Sequence, residues 1–179
     1  MAAPLTVPIA HTPRFADNKL QTAGSESVAA ILTRCKAPLI ADWLTRTKGT
    51  PQLNHLHLSD QERTGHLPQL VDDIVIRLAK PDLPTKDSDS IASPAAVEHG
   101  NLRRTQGYTP AMLIHESRIL QVTVFGTLHK NLSVLDFGLL LPDVMTIADE
   151  VDSQLTQTME SFSNPAPKSA KAHLVKPKA

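Results

Sequence analysis

The chain has 179 residues, 18 of them basic and 18 acidic, and it contains one cysteine. This length allows one domain that buries a hydrophobic core without disulfides or metals. The balanced charge excludes a strong overall field that would attract nucleic acid or an anionic membrane.

The single cysteine, Cys35, excludes an internal disulfide and fits a reducing compartment. No segment of the sequence approaches the roughly 20 consecutive apolar residues that span a bilayer. The N-terminal residues lack the basic region of a signal peptide. The expected location is therefore the cytoplasm, without contact with a membrane.

Both ends of the chain have the composition of disordered segments. Residues 1–24 contain three prolines, Pro4, Pro8 and Pro13, and little hydrophobic periodicity, which predicts a flexible arm. Four lysines and no acidic residue follow Asn164, so residues 163–179 are expected to form a disordered, lysine-rich tail.

Hydrophobic periodicity predicts a helical body over residues 25–162, beginning with two proline-containing helices. The first runs from a capping serine, Ser25, to about residue 47, and Pro38 should bend or split it. The second opens on the capping-box sequence Ser-Asp-Gln-Glu at residue 59 and reaches about residue 79. Pro68 marks a kink in it or the first turn of a second segment. The apolar stripes of these helices consist of Val28, Ile31, Leu32, Cys35, Leu39, Trp43 and Leu44, and of Leu67, Leu70, Val71, Ile74, Val75 and Leu78.

Three further helices are predicted at residues 91–106, 109–132 and 141–162. Gly107 is suited to a left-handed C-terminal cap of the third helix. Thr109 and the proline after it are a typical N-cap and first-turn pair for the fourth. No run of alternating apolar and polar residues indicates a strand. The expected fold class is all-α, a single bundle of about five helices.

A glutamate lies within the apolar stripe of the fourth helix. Its neighbours at three and four residues are Met112, Leu113, Ile119 and Leu120. A buried carboxylate either takes up a proton or binds a cation. The turn at Gly107 should bring Glu116 opposite His99 and Arg103, which share one helix face because they are four residues apart. We therefore expect a polar cluster of these three side chains.

Three roles for this cluster follow from its composition. It could be an ion pair that fixes the register of the two helices, a site that responds to a ligand or signal, or a catalytic site. Catalysis is the least supported role, because the sequence places no nucleophile, oxyanion donor or metal pair beside the histidine. The first two roles stay open at this point.

The pattern H-x3-R, then Gly-Tyr, then Leu-x2-Glu on a hydrophobic helix resembles the N-terminal sensing domain of the RsbRD-type RsbT co-antagonists. This domain type also occurs at the N-terminus of bacterial sensor histidine kinases. The resemblance covers roughly residues 26–160, and its specific positions are His99, Arg103, Gly107, Tyr108 and Glu116. The chain departs from the pattern at Ser117, where the family often has an aromatic residue.

The resemblance implies an all-helical fold, distantly like the non-haem globin domains of related stressosome proteins. It implies that the five specific positions form a site that senses a ligand or signal, with no cofactor, no metal and no catalytic activity. It also implies a regulatory role in bacterial signal transduction, through a sensor kinase or another stress-signalling component. A small-molecule ligand and a homodimer are further expected partners. Because the sequence contains no recognisable output domain, the expectation is a stand-alone input domain.

Two alternative functions rest on other patterns. Residues 102–109 resemble the opening of a helix-turn-helix, but residues 110–132 continue without a breaker until Gly126 and offer no basic recognition face. Specific binding to nucleic acid is therefore not expected.

The second alternative is a haem- or metal-binding, globin-like sensor. His115 and His129 lie on the fourth helix near its edge, and His55 and His57 lie in a loop without a third ligand at useful spacing. His66, which precedes an apolar run, has the position of a partly buried structural histidine.

Overall fold

Helices make up almost all of the regular structure in the computed structural model, which describes residues 25–80 and 92–164. In these residues no strand is formed, and an isolated parallel bridge joins Glu26 to Leu135. The expected all-α fold is confirmed, whereas the likeness to globins stays a prediction. The predicted arm, residues 1–24, and residues 165–179 of the predicted tail lie outside the described residues. The helices are α1 (Val28–Arg34), α2 (Lys36–Lys48), α3 (Pro51–Asn54), α4 (Asp60–Thr64), α5 (Leu67–Leu78), α6 (Pro94–Thr105), α7 (Pro110–Lys130) and α8 (Leu140–Ser163).

The first predicted helix is divided into α1 and α2. The break lies at Cys35, and Pro38 occupies the first turn of α2. A proline is tolerated there because its missing N–H would have no partner within the helix. The cap of α1 is Ser27 and not the expected Ser25, since the Ser27 hydroxyl accepts a hydrogen bond from the Ala30 amide at 3.2 Å.

The second predicted helix is likewise divided, into α4 and α5. The capping box at its start is confirmed, with Ser59 and Glu62 bonded reciprocally at 2.8 and 3.2 Å. Pro68 lies in the first turn of α5, which is the second of the two positions that the sequence allowed. The short α3 was not predicted, because a single turn is too short to produce a periodic pattern.

The core has two parts. The larger part joins α1, α2, α5, α7 and α8 and includes the predicted stripes of the first two helices except Leu70. Its buried residues are Val28, Ile31, Leu32, Leu39, Trp43, Leu67, Val71, Ile74, Leu120, Val124, Leu128, Leu135, Ile147 and Val151. The smaller part lies beside α3 and consists of Leu53, Tyr108, Met112 and Leu113. Cys35 packs against the larger part but is only partly buried.

A close contact between α6 and α8 fixes the orientation of α6. A methyl group added at Gly100 would collide with the backbone carbonyl of Thr158 and the hydroxyl of Ser161, so no larger residue fits without moving a helix. The Thr158 hydroxyl also donates to the Ala96 carbonyl at 3.1 Å. With this face against α8, α6 presents another face towards α7.

The described part of the chain contains no helix long and apolar enough to cross a membrane.

Candidate functional site

A tight turn connects α6 to α7. Gly107 adopts the left-handed conformation with φ of 81°, as expected for its position after the helix. The amide of Tyr108 donates to the Arg103 carbonyl at 3.0 Å, and the amide of Gly107 donates to the Arg104 carbonyl at 3.2 Å. These two bonds form a Schellman motif. The Thr109 hydroxyl then caps α7, as the sequence predicts.

Glu116 contacts three other side chains, those of His99, Arg103 and Tyr108. We call these four residues the Glu116 cluster. Oε2 of Glu116 accepts from Nε of Arg103 at 3.0 Å and lies 3.3 Å from Nε2 of His99. Oε1 accepts from the Tyr108 hydroxyl at 2.7 Å. Glu116 is 3% exposed and Arg103 is 1% exposed. The predicted clustering of His99, Arg103 and Glu116 is therefore confirmed, and Tyr108 joins them.

Arg103 also connects the hairpin to α4. Its guanidinium donates to the backbone carbonyls of Glu62 at 3.0 Å and Arg63 at 2.5 Å, and to the side chain of Gln106 at 2.7 Å. The two carbonyls lie near the C-terminal end of α4, where carbonyls lack partners within the helix. The guanidinium carbon lies 4.7 Å from the centre of the Tyr108 ring. Arg103 thus joins three helices as well as neutralising Glu116.

The pKa shifts in the cluster follow from burial and partners. Burial by itself would raise the pKa of Glu116, but the hydrogen bond from His99 and the charge of Arg103 outweigh it and hold the pKa below its usual value. Burial lowers the pKa of His99 despite the neighbouring carboxylate. Burial and the charge of Glu116 raise the pKa of Tyr108. At neutral pH the cluster therefore contains one carboxylate, one guanidinium, a neutral imidazole and a neutral phenol.

A cavity of about 40 Å³ adjoins the cluster. Glu116, His99 and Ser117 form part of its wall, together with Gln154 of α8. The indole of Trp43 also lines it and donates to the Glu116 backbone carbonyl at 3.4 Å. The largest share of the wall is apolar and includes Trp43, Leu67, Leu70, Leu113, Leu120 and Val151.

Gly107 is the one specific position of the resemblance that lies away from the cluster. It is exposed, and a methyl group added to it would meet no atom within 4 Å, so its contribution is the conformation of the turn. Ser117, which replaces the aromatic residue expected after the glutamate, faces the cavity.

Two residues of the site were not found from the sequence. Gln154 lies on the apolar side of α8 between Val151 and Thr158, so the reasoning that singled out Glu116 could have found it. Arg63 is buried and donates to the carbonyls of Leu53 and Leu56 at 3.2 and 2.6 Å. No pattern around Arg63 in the sequence indicates these contacts, because they are made to backbone carbonyls, which every residue has.

The structure gives little support to the two alternative functions. α7 continues without a break from Pro110 to Lys130, and Arg103 points into the bundle, where it cannot contact phosphates. Among the residues that the structure describes, no three histidine, cysteine, aspartate or glutamate side chains come together as a metal site. His55 and His57 are exposed outside the helices, and His129 is exposed near the end of α7.

Comparison of the chain with models of protein families, with curated proteins and with solved structures gives no significant match in any of the three. The function is therefore inferred from the Glu116 cluster, the cavity beside it and the exposed surface of the bundle.

Proposed function

We propose that this chain is a sensory or regulatory helical domain of bacterial signal transduction, which acts in the cytoplasm by binding and catalyses no reaction. The proposal rests mainly on the position of Glu116. Its carboxylate is buried and ionised, it contacts three side chains, and it forms part of a cavity wall. The RsbRD-type sensing domains that the sequence resembles imply the same role for these positions.

Within the cluster, His99 is the member best suited to respond to a signal. Arg103 is held by backbone carbonyls of α4 in addition to Glu116, so moving it would disrupt the helix packing. His99, in contrast, contacts Glu116 but neither of the α4 carbonyls, and 13% of its side chain is exposed. Adding a proton to it would leave an extra positive charge beside Arg103. A proton or a ligand at His99 would therefore change the relative energies of two packings of α6 and α7.

Binding is favoured over catalysis by the bonding of the cluster. Both oxygens of Glu116 already accept hydrogen bonds from charged or polar side chains, so this carboxylate is poorly placed to act as a general base. In the described residues no hydroxyl or thiol group donates to His99, so no nucleophile is activated there.

An exposed apolar surface offers a place for a protein partner. The 137–145 surface consists of Phe137, Leu139, Leu141 and Met145, whose side chains are 61%, 60%, 71% and 65% exposed. Such patches mark interaction sites in proteins. Asp136 and Asp143 lie within the same stretch of chain, so a partner with apolar and basic side chains would be complementary. α8 begins at this surface and extends to the cavity, where its Gln154 forms part of the wall.

The test is capture of partners from the native bacterium with four versions of the protein as bait, compared at equal folded fraction by circular dichroism. We expect the wild type to retain a sensor kinase or another stress-signalling protein. Leu141→Asp should lose this partner, whereas the matched control Ile114→Asp, at an exposed position of α7, should keep it. His99→Gln should remove the dependence of the captured amount on pH across roughly pH 5.5 to 8, where histidine titrates.

Two results would contradict the proposal. One is capture of the same proteins in the same amounts by all four baits. The other is turnover of a substrate by the purified protein that His99→Gln abolishes. If the 137–145 surface instead binds a second copy of the chain, light scattering will show a dimer for the wild type and a monomer for Leu141→Asp.

A further inference from the structure

Arg63 is a buried cation without a carboxylate partner in the described part of the chain. It is 4% exposed, and its guanidinium donates to the backbone carbonyls of Leu53 and Leu56. Arg77 and Arg103 are also buried, but each of them pairs with a carboxylate. Carbonyls accept hydrogen bonds but carry no net charge, so they leave the charge of Arg63 uncompensated. An anion bound beside Arg63 would therefore stabilise the fold.

The cavity beside the Glu116 cluster reaches Arg63, which forms part of its wall. The guanidinium has more N–H groups than its two carbonyl bonds use, and its Nε makes no hydrogen bond to the described residues. This Nε is not enclosed by protein, in contrast to the unpaired Oε1 of Gln154 in the same wall. An anion in the cavity can therefore accept a hydrogen bond from Arg63.

The charges around the cavity sum to a positive one. Glu116 also forms part of the wall, but its carboxylate is paired with Arg103 at 3.0 Å. His99 is neutral at neutral pH, because burial lowers its pKa. Since Glu116 and Arg103 offset each other, the charge of Arg63 remains, and it favours a monovalent anion over an uncharged molecule or a cation.

The volume and the wall of the cavity limit the anion to a short one. The cavity measures about 40 Å³, which is more than the roughly 10–15 Å³ that one water requires and less than the roughly 150 Å³ of a cavity that holds benzene. A planar carboxylate matches the geometry of a guanidinium. Most of the wall is apolar, so it would contact the hydrocarbon part of the anion.

We propose that this cavity binds a short monocarboxylate of about the size of formate, which pairs with the guanidinium of Arg63. The anion would lie between α4, which carries Arg63, and the parts of α7 and α8 that line the cavity, and it would hold these helices in one arrangement. This inference rests on the proposed function, because the anion would be the signal that the domain senses.

The test compares formate with formamide, which have the same number of non-hydrogen atoms but differ in charge. Trp43 is the only tryptophan of the chain and lines the cavity, so its indole N–H gives a single resonance there. Sodium formate should shift this resonance in a saturable way, with half-saturation on the order of millimolar, as expected for so small a ligand. Formamide should require at least a roughly tenfold higher concentration. Sodium gluconate, whose anion is too large for the cavity, keeps the ionic strength constant.

Substitutions assign the binding to Arg63. Arg63→Met removes the charge and keeps a long side chain, and it should abolish the saturable shift. Arg104→Met, the same substitution at an exposed arginine of α6 outside the cavity, should preserve it. If Arg63→Met does not fold, Ser117→Leu is the second variant. Its larger side chain should fill the cavity and abolish binding, while Arg63 keeps its bonds to the carbonyls.

Three results would overturn the inference: a shift that stays linear with formate, equal half-saturation for formamide, or unchanged formate binding by a folded Arg63→Met or Ser117→Leu protein. The second would show that the charge of Arg63 does not select the ligand. Failure of the proposed function is a separate result, because partner capture by the wild type is measured without added formate. Binding of formate without any captured partner would keep this site and reject the regulatory role.

Discussion

Glu116 on α7 and Glu150 on α8 are both buried, with 3% and 7% exposure, but their pKa values are shifted in opposite directions. Glu116 has Arg103, His99 and Tyr108 as partners, and its pKa lies below the usual value. Burial raises the pKa of Glu150, whose hydrogen-bond partner is the neutral amide of Gln154. Among the described residues, the guanidinium that acts on Glu150 is that of Arg77, which is itself paired with Asp149 at 3.3 Å.

Depth of burial therefore does not by itself decide the direction in which the pKa of a carboxyl group is shifted. The deciding factor is whether a cation within contact distance is available to that group. The surroundings of Glu116 therefore favour its ionised form, and those of Glu150 favour its protonated form.

The largest expected effect is that of removing Glu116. Glu116→Ala should lower the free energy of unfolding by about 3–5 kcal/mol, because it leaves the Arg103 guanidinium buried without its counter-charge. Urea unfolding at neutral pH measures this. The matched control is Glu98→Ala, since Glu98 is 73% exposed and pairs with His66 at the surface, and its loss should be below about 1 kcal/mol. Equal losses for the two variants would remove the distinction.

A smaller effect is expected from Tyr108→Phe, which deletes the hydroxyl that donates to Glu116 at 2.7 Å and keeps the ring beside Arg103. A hydrogen bond to a charged group contributes about 1.5–3 kcal/mol, so unfolding in urea should show a loss in this range. In the Glu116→Ala background the same substitution should cost much less, because the acceptor is already absent. Additive losses in this double-mutant cycle would show that the hydroxyl is not coupled to the carboxylate.

Stability at acid pH should depend on His99 and Glu116. The pKa of His99 is lowered by burial, so the unfolded chain binds its proton first, and stability should fall as the pH drops below about 6.5. The lowered pKa of Glu116 adds a second loss below about pH 4.5, in the same direction. His99→Gln should reduce the first loss, and His129→Gln, at an exposed position of α7, should not. Urea unfolding measured from pH 4 to 8 distinguishes the two variants.

Glu150→Gln should have the smallest effect at neutral pH, less than about 1 kcal/mol, because an amide can still accept the hydrogen bond from Gln154. Its pH dependence should have the opposite sign to that of Glu116. A raised pKa stabilises the fold below the usual glutamate range, and this contribution is lost as the pH rises through the raised value. Relative to wild type, the variant should therefore gain stability with increasing pH. A stability difference that does not change with pH would mean that folding does not shift the pKa of Glu150.

Much of the Glu116 cluster could be predicted from local patterns. The position of Glu116 among apolar residues, the four-residue spacing of His99 and Arg103, and the conformational freedom of Gly107 each depend on one or two helical turns. The same is true of the capping residues at Ser59 and Thr109. These signals are sufficient to place two facing helices and to bring their charged side chains together.

The remaining contacts of the site depend on how the helices pack. The carbonyls of Glu62 and Arg63 that bind Arg103 are distant in sequence, and any helix end presents such carbonyls, so no residue pattern marks them. The tight approach of Gly100 to α8 and the unpaired oxygen of Gln154 likewise depend on how α6 and α8 pack against their neighbours. Capping and periodicity act over a few residues, whereas the closure of a cavity and the satisfaction of a buried charge depend on the relative positions of whole helices.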